Sequence, residues 1–257
     1  LEKNMRYATT NSCQEFEVYY QPIVDISRPG DPCSGAEALI RWNSEAMGMI
    51  SPSEFIPLAE YLGLINPIGS FALKEACHRC KYWNDMGHPE YHVNVNLSVV
   101  QLLQNDMKEK VREVLEETKM DPANLTLEVT ESLAINDMKR MKRILSDIKS
   151  LGVKVALDDF GTGYSNMKRI ASMPFAIVKL DKTFTEMNEN DKMLKVVKNT
   201  ISMVRDMNLR ILVEGVETLE SFKEFKALGV DYIQGYYFSK PLPMEKFVSE
   251  VKRVNMD

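Results

Sequence analysis

The chain is predicted to be an α/β protein, a (β/α)8 TIM-like barrel with an antiparallel first strand. Three observations predict it. The first is length: 257 residues, close to the roughly 250 of one eight-stranded α/β barrel. The second is an alternation, along the whole chain, of short β-rich runs with longer helical patterns. The third is a connection between the first two runs that is too short for a helix.

The β-rich runs fall at residues 16–24, 36–41, 92–97, 125–130, 154–157, 176–180, 210–213 and 232–234. Eight strands separated by helices is the count for a closed parallel barrel. Between the first two, residues 25–34 carry Pro29, Gly30 and Pro32. Parallel neighbours need a crossover of a dozen or more residues, so the first strand is expected to run antiparallel to the second. Helix starts and stops are also legible. Ser51-Pro52-Ser53-Glu54 has the form of a capping box with Pro at the first helical position. Gly152 and Gly229 stand where C-caps are expected, and Pro122 follows a helix over residues 108–119.

Composition narrows the function. Hydrophobic residues make up 44% and charged residues 27%, an ordinary globular mix. The net charge of −5 leaves no basic footprint for long nucleic acid. No run nears the ~18 apolar residues of a membrane span, and the N-terminus does not read as a signal peptide. Four cysteines (Cys13, Cys33, Cys77 and Cys80) do not make a disulfide framework in a chain of this size. A cytoplasmic location without membrane contact from this segment is expected. Cys77-His78-Arg79-Cys80 is a CxxC inside a helical pattern with no second pair, which reads as core packing before zinc. The methionines in helical patterns (Met138, Met141, Met203, Met207) likewise read as core. No linker divides the chain, so residues 1–257 are read as one barrel. Residues 1–15 are a lead-in, expected to continue from an upstream region.

In parallel barrels the C-terminal strand ends carry the chemistry, and here they are unusually polar. They hold Glu37, Asn96, Glu128, Asp158-Asp159, Lys179, Glu214 and Gln234 in turn. Clustering several buried carboxylates without cations is costly. An oxygen-only set of Glu, Asp and Asn selects hard cations such as Mg²⁺ or Mn²⁺, one or two ions. Two such ions can clamp the attacking and leaving oxygens of a phosphodiester. Asp158 and Asp159 are adjacent, and side chains in a regular strand alternate. The glycines of Phe160-Gly161-Thr162-Gly163 are expected to let the chain turn so that both carboxylates reach the site. A solvated strand end explains any one of these residues, but not seven strands in succession. For Lys179 the plain alternative is a structural ion pair with Asp181 or Asp159.

Glu37-Ala38-Leu39, followed by Ile40-Arg41-Trp42, resembles the signature of the EAL domain, the cyclic di-GMP phosphodiesterases. The resemblance runs from about residue 16 to 243. It includes Tyr20-Gln21-Pro22-Ile23-Val24, Phe55-Ile56-Pro57-Leu58-Ala59-Glu60, Asn96-Leu97-Ser98 and Glu128-Val129-Thr130-Glu131-Ser132. It continues through the DDFGTGYS run at 158–165, Lys179-Leu180-Asp181, Glu214-Gly215-Val216-Glu217-Thr218 and Gln234-Gly235-Tyr236-Tyr237. Val213, and Asn166-Met167, depart from the usual Ala and Ser-Leu without touching a ligand position.

The resemblance implies hydrolysis of cyclic di-GMP to linear pGpG on a barrel whose first strand is antiparallel. Glu37, Asn96, Glu128 and Asp158 are implied metal ligands, joined by Asp159 when a second ion binds. Lys179 resembles the lysine that contacts the nucleophilic water, and Glu214 a general base or metal-site partner. Gln21, Arg41, Gln234, Asp181 and Glu217 fall on the substrate side. Glu131 resembles the residue that fixes the 158–165 loop, which in the family couples metal binding to dimerisation, so a homodimer is implied. The chain then serves as the output domain of a larger sensor, in some cases a membrane-anchored one. The alternative is a receptor that binds cyclic di-GMP without turnover. Such members usually lose metal ligands or the DDFG run, and all of those positions are intact here.

Overall fold

The computed structural model describes residues 1–130, 138–161, 167–186 and 191–254. Its strands are β1 (Phe16–Asp25), β2 (Cys33–Ser44), β3 (Gly48–Ile50), β4 (His92–Asn96), β5 (Leu125–Thr130), β6 (Lys154–Phe160), β7 (Ile177–Leu180), β8 (Arg210–Val213), β9 (Tyr232–Ile233) and β10 (Leu242–Pro243). From β2 through β4, β5, β6, β7 and β8 to β9, neighbours pair in parallel. β1 closes the barrel by pairing antiparallel with both β2 and β9. The short connection has the consequence expected of it, and eight strands form the closed barrel. β3 and β10 are additions that the pattern did not reveal: β3 extends β2 into a hairpin, and β10 pairs with β1.

Alternation along the strands sorts the side chains into two populations. Outward residues such as Val93, Val95, Leu127, Val129, Val155 and Val213 join the main core beneath the surrounding helices. There Trp83, from the helix Ile65–Asp85, stacks on Phe247 at 4.5 Å and meets Tyr20 edge-on at 5.1 Å. Cys77 and Cys80 are buried in this same core, as is Met141. A separate small cluster of Ile23, Ala156, Ile177 and Leu212 lies two residues from Gln21, Asp158, Lys179 and Glu214 respectively. Each of these apolar side chains therefore shares its strand face with a polar one, and together they form an apolar layer beneath the polar mouth.

The lead-in is structured. The helix Glu2–Thr10 buries Met5 and Ala8 against Trp42, Phe55 and Ile65, beside the end of β2 that carries Arg41. Helix signals were partly right. Gly229 caps Leu219–Leu228 in the left-handed conformation, Gly152 lies at φ +92, and the helix before Pro122 spans Met107–Thr118. Ser51 does cap Pro52–Tyr61, but without a side-chain cap bond. Its hydroxyl instead meets Ser53 Oγ at 2.7 Å, so the expected capping box is not made. The reciprocal box occurs at Ser98, whose Oγ accepts from Val100 N–H while Gln101 Oε1 accepts from Ser98 N–H. No helix among the described residues is long and apolar enough to cross a membrane.

Candidate active site at the barrel mouth

The polar strand ends converge on Lys179. Its side chain is fully buried, and Nζ lies 2.7 Å from Glu128, 2.9 Å from Glu214, 3.1 Å from Asp158 and 3.5 Å from Glu37. The simple pairing with Asp181 or Asp159 considered from the sequence is replaced by this four-carboxylate cage. Closure of the sheet into a barrel brings the ends of β2, β5, β6 and β8 within one side-chain length of Lys179 on β7, although only β6 and β8 are its neighbours in the sheet, which linear spacing does not reveal. Burial alone pushes the ammonium down, but Asp158, Glu128, Glu214 and Glu37 outweigh it and hold Lys179 well above the ordinary lysine range. It stays charged.

The carboxylates respond differently. Glu37 is lowered despite burial, because Lys179 and the amides of Gln234 and Asn96 favour its charged form. Asn96 Nδ2 and Gln234 Nε2 each donate to it at 2.7 Å. Glu128 is raised well above the ordinary value by burial, which Lys179 does not offset, with Glu37 and Asp158 adding to it. Glu214 is pushed up to about 8, by burial first and then by Asp158 and Glu37 against the opposing Lys179. Asp159 is raised by burial and by Asp158. Such like-charge strain is what a bound cation relieves.

Asp158 and Asp159 both reach the mouth, for a reason the sequence reading misplaced. Their strand does not end at Leu157; it runs on to Phe160. The β6–β7 register shifts between Leu157 and Phe160, which inserts an extra residue as a bulge. Asp159 itself takes φ +55, a left-handed conformation that Asp tolerates, and its N–H donates to Asp158 Oδ1 at 2.9 Å. The reversal of facing is thus made at Asp159, ahead of the glycines. Ligand atoms of Asp158, Asp159 and Glu214 lie within 4.8 Å of one another, an oxygen-only donor set that fits a hard divalent cation.

Around this centre, Gln234 stands just past β9 and also donates to Gln21 Oε1 at 3.0 Å, while Gln21 donates to Ser239 O at 3.1 Å. Arg41 is half-buried, with its guanidinium 5.6 Å from the Tyr19 ring centre. It lines a cavity of about 460 Å³ together with Leu39, Ile56, Glu60, Asn96 and Ser98. Tyr236 is exposed, with the Lys240 ammonium 5.3 Å from its ring centre. Asp181 accepts from Thr183 N–H at 2.9 Å at the start of a short helix, and Glu217 is exposed beyond β8. Glu131 lies outside the described residues, as does the 158–165 run beyond Gly161. Two interior contacts were not legible: Asn94 donates to Glu128 Oε1 at 2.7 Å, and Ser98 Oγ donates to Glu60 at 2.5 Å. Alternation along β4 was the available signal for Asn94.

Comparison with known proteins agrees with this geometry. The EAL domain family model matches residues 4–241. The chain is 37% identical over 240 residues to a bifunctional diguanylate cyclase/cyclic di-GMP phosphodiesterase, MucR of Pseudomonas aeruginosa, covering 93% of this chain and 35% of that one. It is 32% identical over 239 residues to a second cyclic di-GMP phosphodiesterase of that organism, covering 93% and 40%. The chain thus spans well under half the length of these relatives. A solved structure of the MucR phosphodiesterase in complex with c-di-GMP superposes with a TM-score of 0.87 at 34% identity, over 95% of this chain and 99% of that one. The chain belongs to the EAL domain family.

Proposed function

We propose that the chain is a metal-dependent phosphodiesterase that hydrolyses cyclic di-GMP to linear pGpG. The observation that carries this reading is the Lys179 cage joined to the Asp158–Asp159–Glu214 oxygen cluster. Relatives named as cyclic di-GMP phosphodiesterases, and the complex of one with c-di-GMP, supply the substrate.

Glu37, Asn96, Glu128, Asp158 and Asp159 are the residues assigned to hold one or two Mg²⁺ or Mn²⁺ ions. Bound there, such ions polarise phosphoryl oxygens and lower the pKa of water. The residues of the chain divide the remaining work. Lys179 fixes Glu128, Asp158 and Glu214 and offers its ammonium to the water, a positioning and electrostatic role. Glu214, 2.9 Å from Lys179 and clustered with Asp158 and Asp159, is the candidate base. Arg41 presents a planar guanidinium to a phosphate, and the cavity beside it accommodates a flanking base. Gln21 and Gln234 hold Glu37 and the substrate side in register, with Asp181 and Glu217 at the rim. The water oxygen bonds to phosphorus, the P–O3′ bond breaks, and O3′ leaves as a hydroxyl, giving a 5′-phosphate on the linear dinucleotide. As part of a longer chain this barrel acts as a cytoplasmic output domain and as a homodimer.

Incubation with cyclic di-GMP and Mg²⁺ or Mn²⁺, followed by chromatography, should show metal-dependent pGpG. Tight binding of the nucleotide without turnover, with metal confirmed bound, would instead make the chain a receptor.

A further inference from the structure

Asn94 stands outside every motif that carries the family resemblance, yet it is buried at the centre of the site. It lies on β4 two residues before Asn96, on the same inward face. Its Cα is in register with Glu37 on one side and Thr126 on the other. The residue has no solvent exposure, and its Nδ2 donates to Glu128 Oε1 at 2.7 Å. The other oxygen of that carboxylate, Oε2, accepts from Lys179 at 2.7 Å. Glu128 is therefore gripped at both oxygens, from two strands, which fixes the plane of the carboxylate as well as its position.

The rest of Asn94 argues against a packing role. Its Oδ1 is buried and meets no hydrogen-bond partner among the described residues. Burying an amide with its acceptor unmet is unfavourable, and Leu or Met would fill the space without that penalty. Thr126 offers an internal comparison. It sits at the same level on β5, is buried as well, and its hydroxyl also lacks a partner among the described residues. Of these two, the residue whose polar group reaches Glu128 is Asn94.

We propose that Asn94 is a positioning residue that sets the orientation in which Glu128 meets the divalent cation. This rests on the reading of Glu128 as a metal ligand. Partners that orient a ligand typically change metal affinity or activity by 10–100-fold when removed. Asn94→Leu removes the donor at nearly constant volume. It should raise the Mn²⁺ dissociation constant of the protein by about tenfold or more, read by electron paramagnetic resonance of free Mn²⁺. With Mn²⁺ limiting, kcat should fall while KM for cyclic di-GMP changes less than about threefold, because the lost contact acts on the metal site and not on the nucleotide. Thr126→Val should leave both within about twofold of wild type. Asn94→Ser, whose hydroxyl is too short to reach Glu128, should reproduce the loss and serves if the Leu variant does not fold.

Wild-type Mn²⁺ affinity in a folded Asn94 variant overturns the proposal, as does an equal loss in Thr126→Val, which would make the whole level structural. A wild-type protein that binds no Mn²⁺ at all would overturn the metal-ligand reading and this role with it. If wild type binds Mn²⁺ but turns over no nucleotide, the proposed activity fails while the Mn²⁺ affinities still decide the role of Asn94.

Discussion

Lys179 Nζ lies 2.7 Å from Glu128 Oε2 with both side chains at zero exposure, so water reaches neither. Removing the ammonium also leaves the lowered Glu37 carboxylate without its buried cation, and breaking a buried ion pair in this way costs about 3–5 kcal/mol. Lys179→Met should therefore lower the free energy of urea unfolding by about that amount in metal-free buffer. Excess Mg²⁺ or Mn²⁺ should restore part of it, since a cation substitutes for the ammonium. An unfolding curve like that of wild type, without metal, would show that the four carboxylates do not depend on Lys179.

The raised carboxyl of Glu214 makes metal-free stability fall with rising pH. Its ordinary value is 4.5, and in the fold it sits at about 8. Between these values the folded protein holds a proton that the unfolded chain has released, so stability declines from about pH 5 to pH 8. The decline is on the order of 2–4 kcal/mol. Glu128, also raised, acts in the same direction. The lowered Glu37 loses its stabilising contribution only below its ordinary 4.5, and the raised Lys179 only above 10.5, both outside this window. Glu214→Gln should flatten the slope in chelator-treated protein. A slope unchanged by that substitution would assign the effect elsewhere.

The backbone conformation of Asp159 and its charge can be separated experimentally. Asp159→Asn keeps a residue that accepts φ +55 and should melt within a few degrees of wild type. It should nevertheless lose turnover by about tenfold or more and bind Mn²⁺ more weakly. Asp159→Val should lose stability as well, because a β-branched side chain is strained at that φ. Equal activity of the Asn variant and wild type would remove the carboxylate from the site.

Closure of the barrel depends on Gly35. A Cβ built there would lie 2.0 Å from the His92 backbone oxygen, at the point where β2 and β4 pair. Gly35→Ala must push these strands apart, and a loss of about 3 kcal/mol or more is expected, measured by chemical denaturation. A variant of wild-type stability would show that the pairing relaxes freely.

The sequence by itself determined the class of fold, the reversed first strand and the membership of the ring at the mouth. Each is written locally: alternation places Glu37, Glu128, Asp158 and Lys179 inward, and a ten-residue gap with two prolines forbids a crossover helix. Contacts between strands were decided only by the tertiary structure. Lys179 is held by carboxylates from four other strands rather than by its sequence neighbour Asp181, since the register between strands, not position along the chain, sets which ends meet. The bulge that aims Asp158 and Asp159 together arises where β6 must pair with β7, and no residue type announces it. Asn94 carried the same inward parity as Asn96. Only the fold put its amide beside Glu128, and only there does an ordinary strand residue take hold of that buried carboxylate.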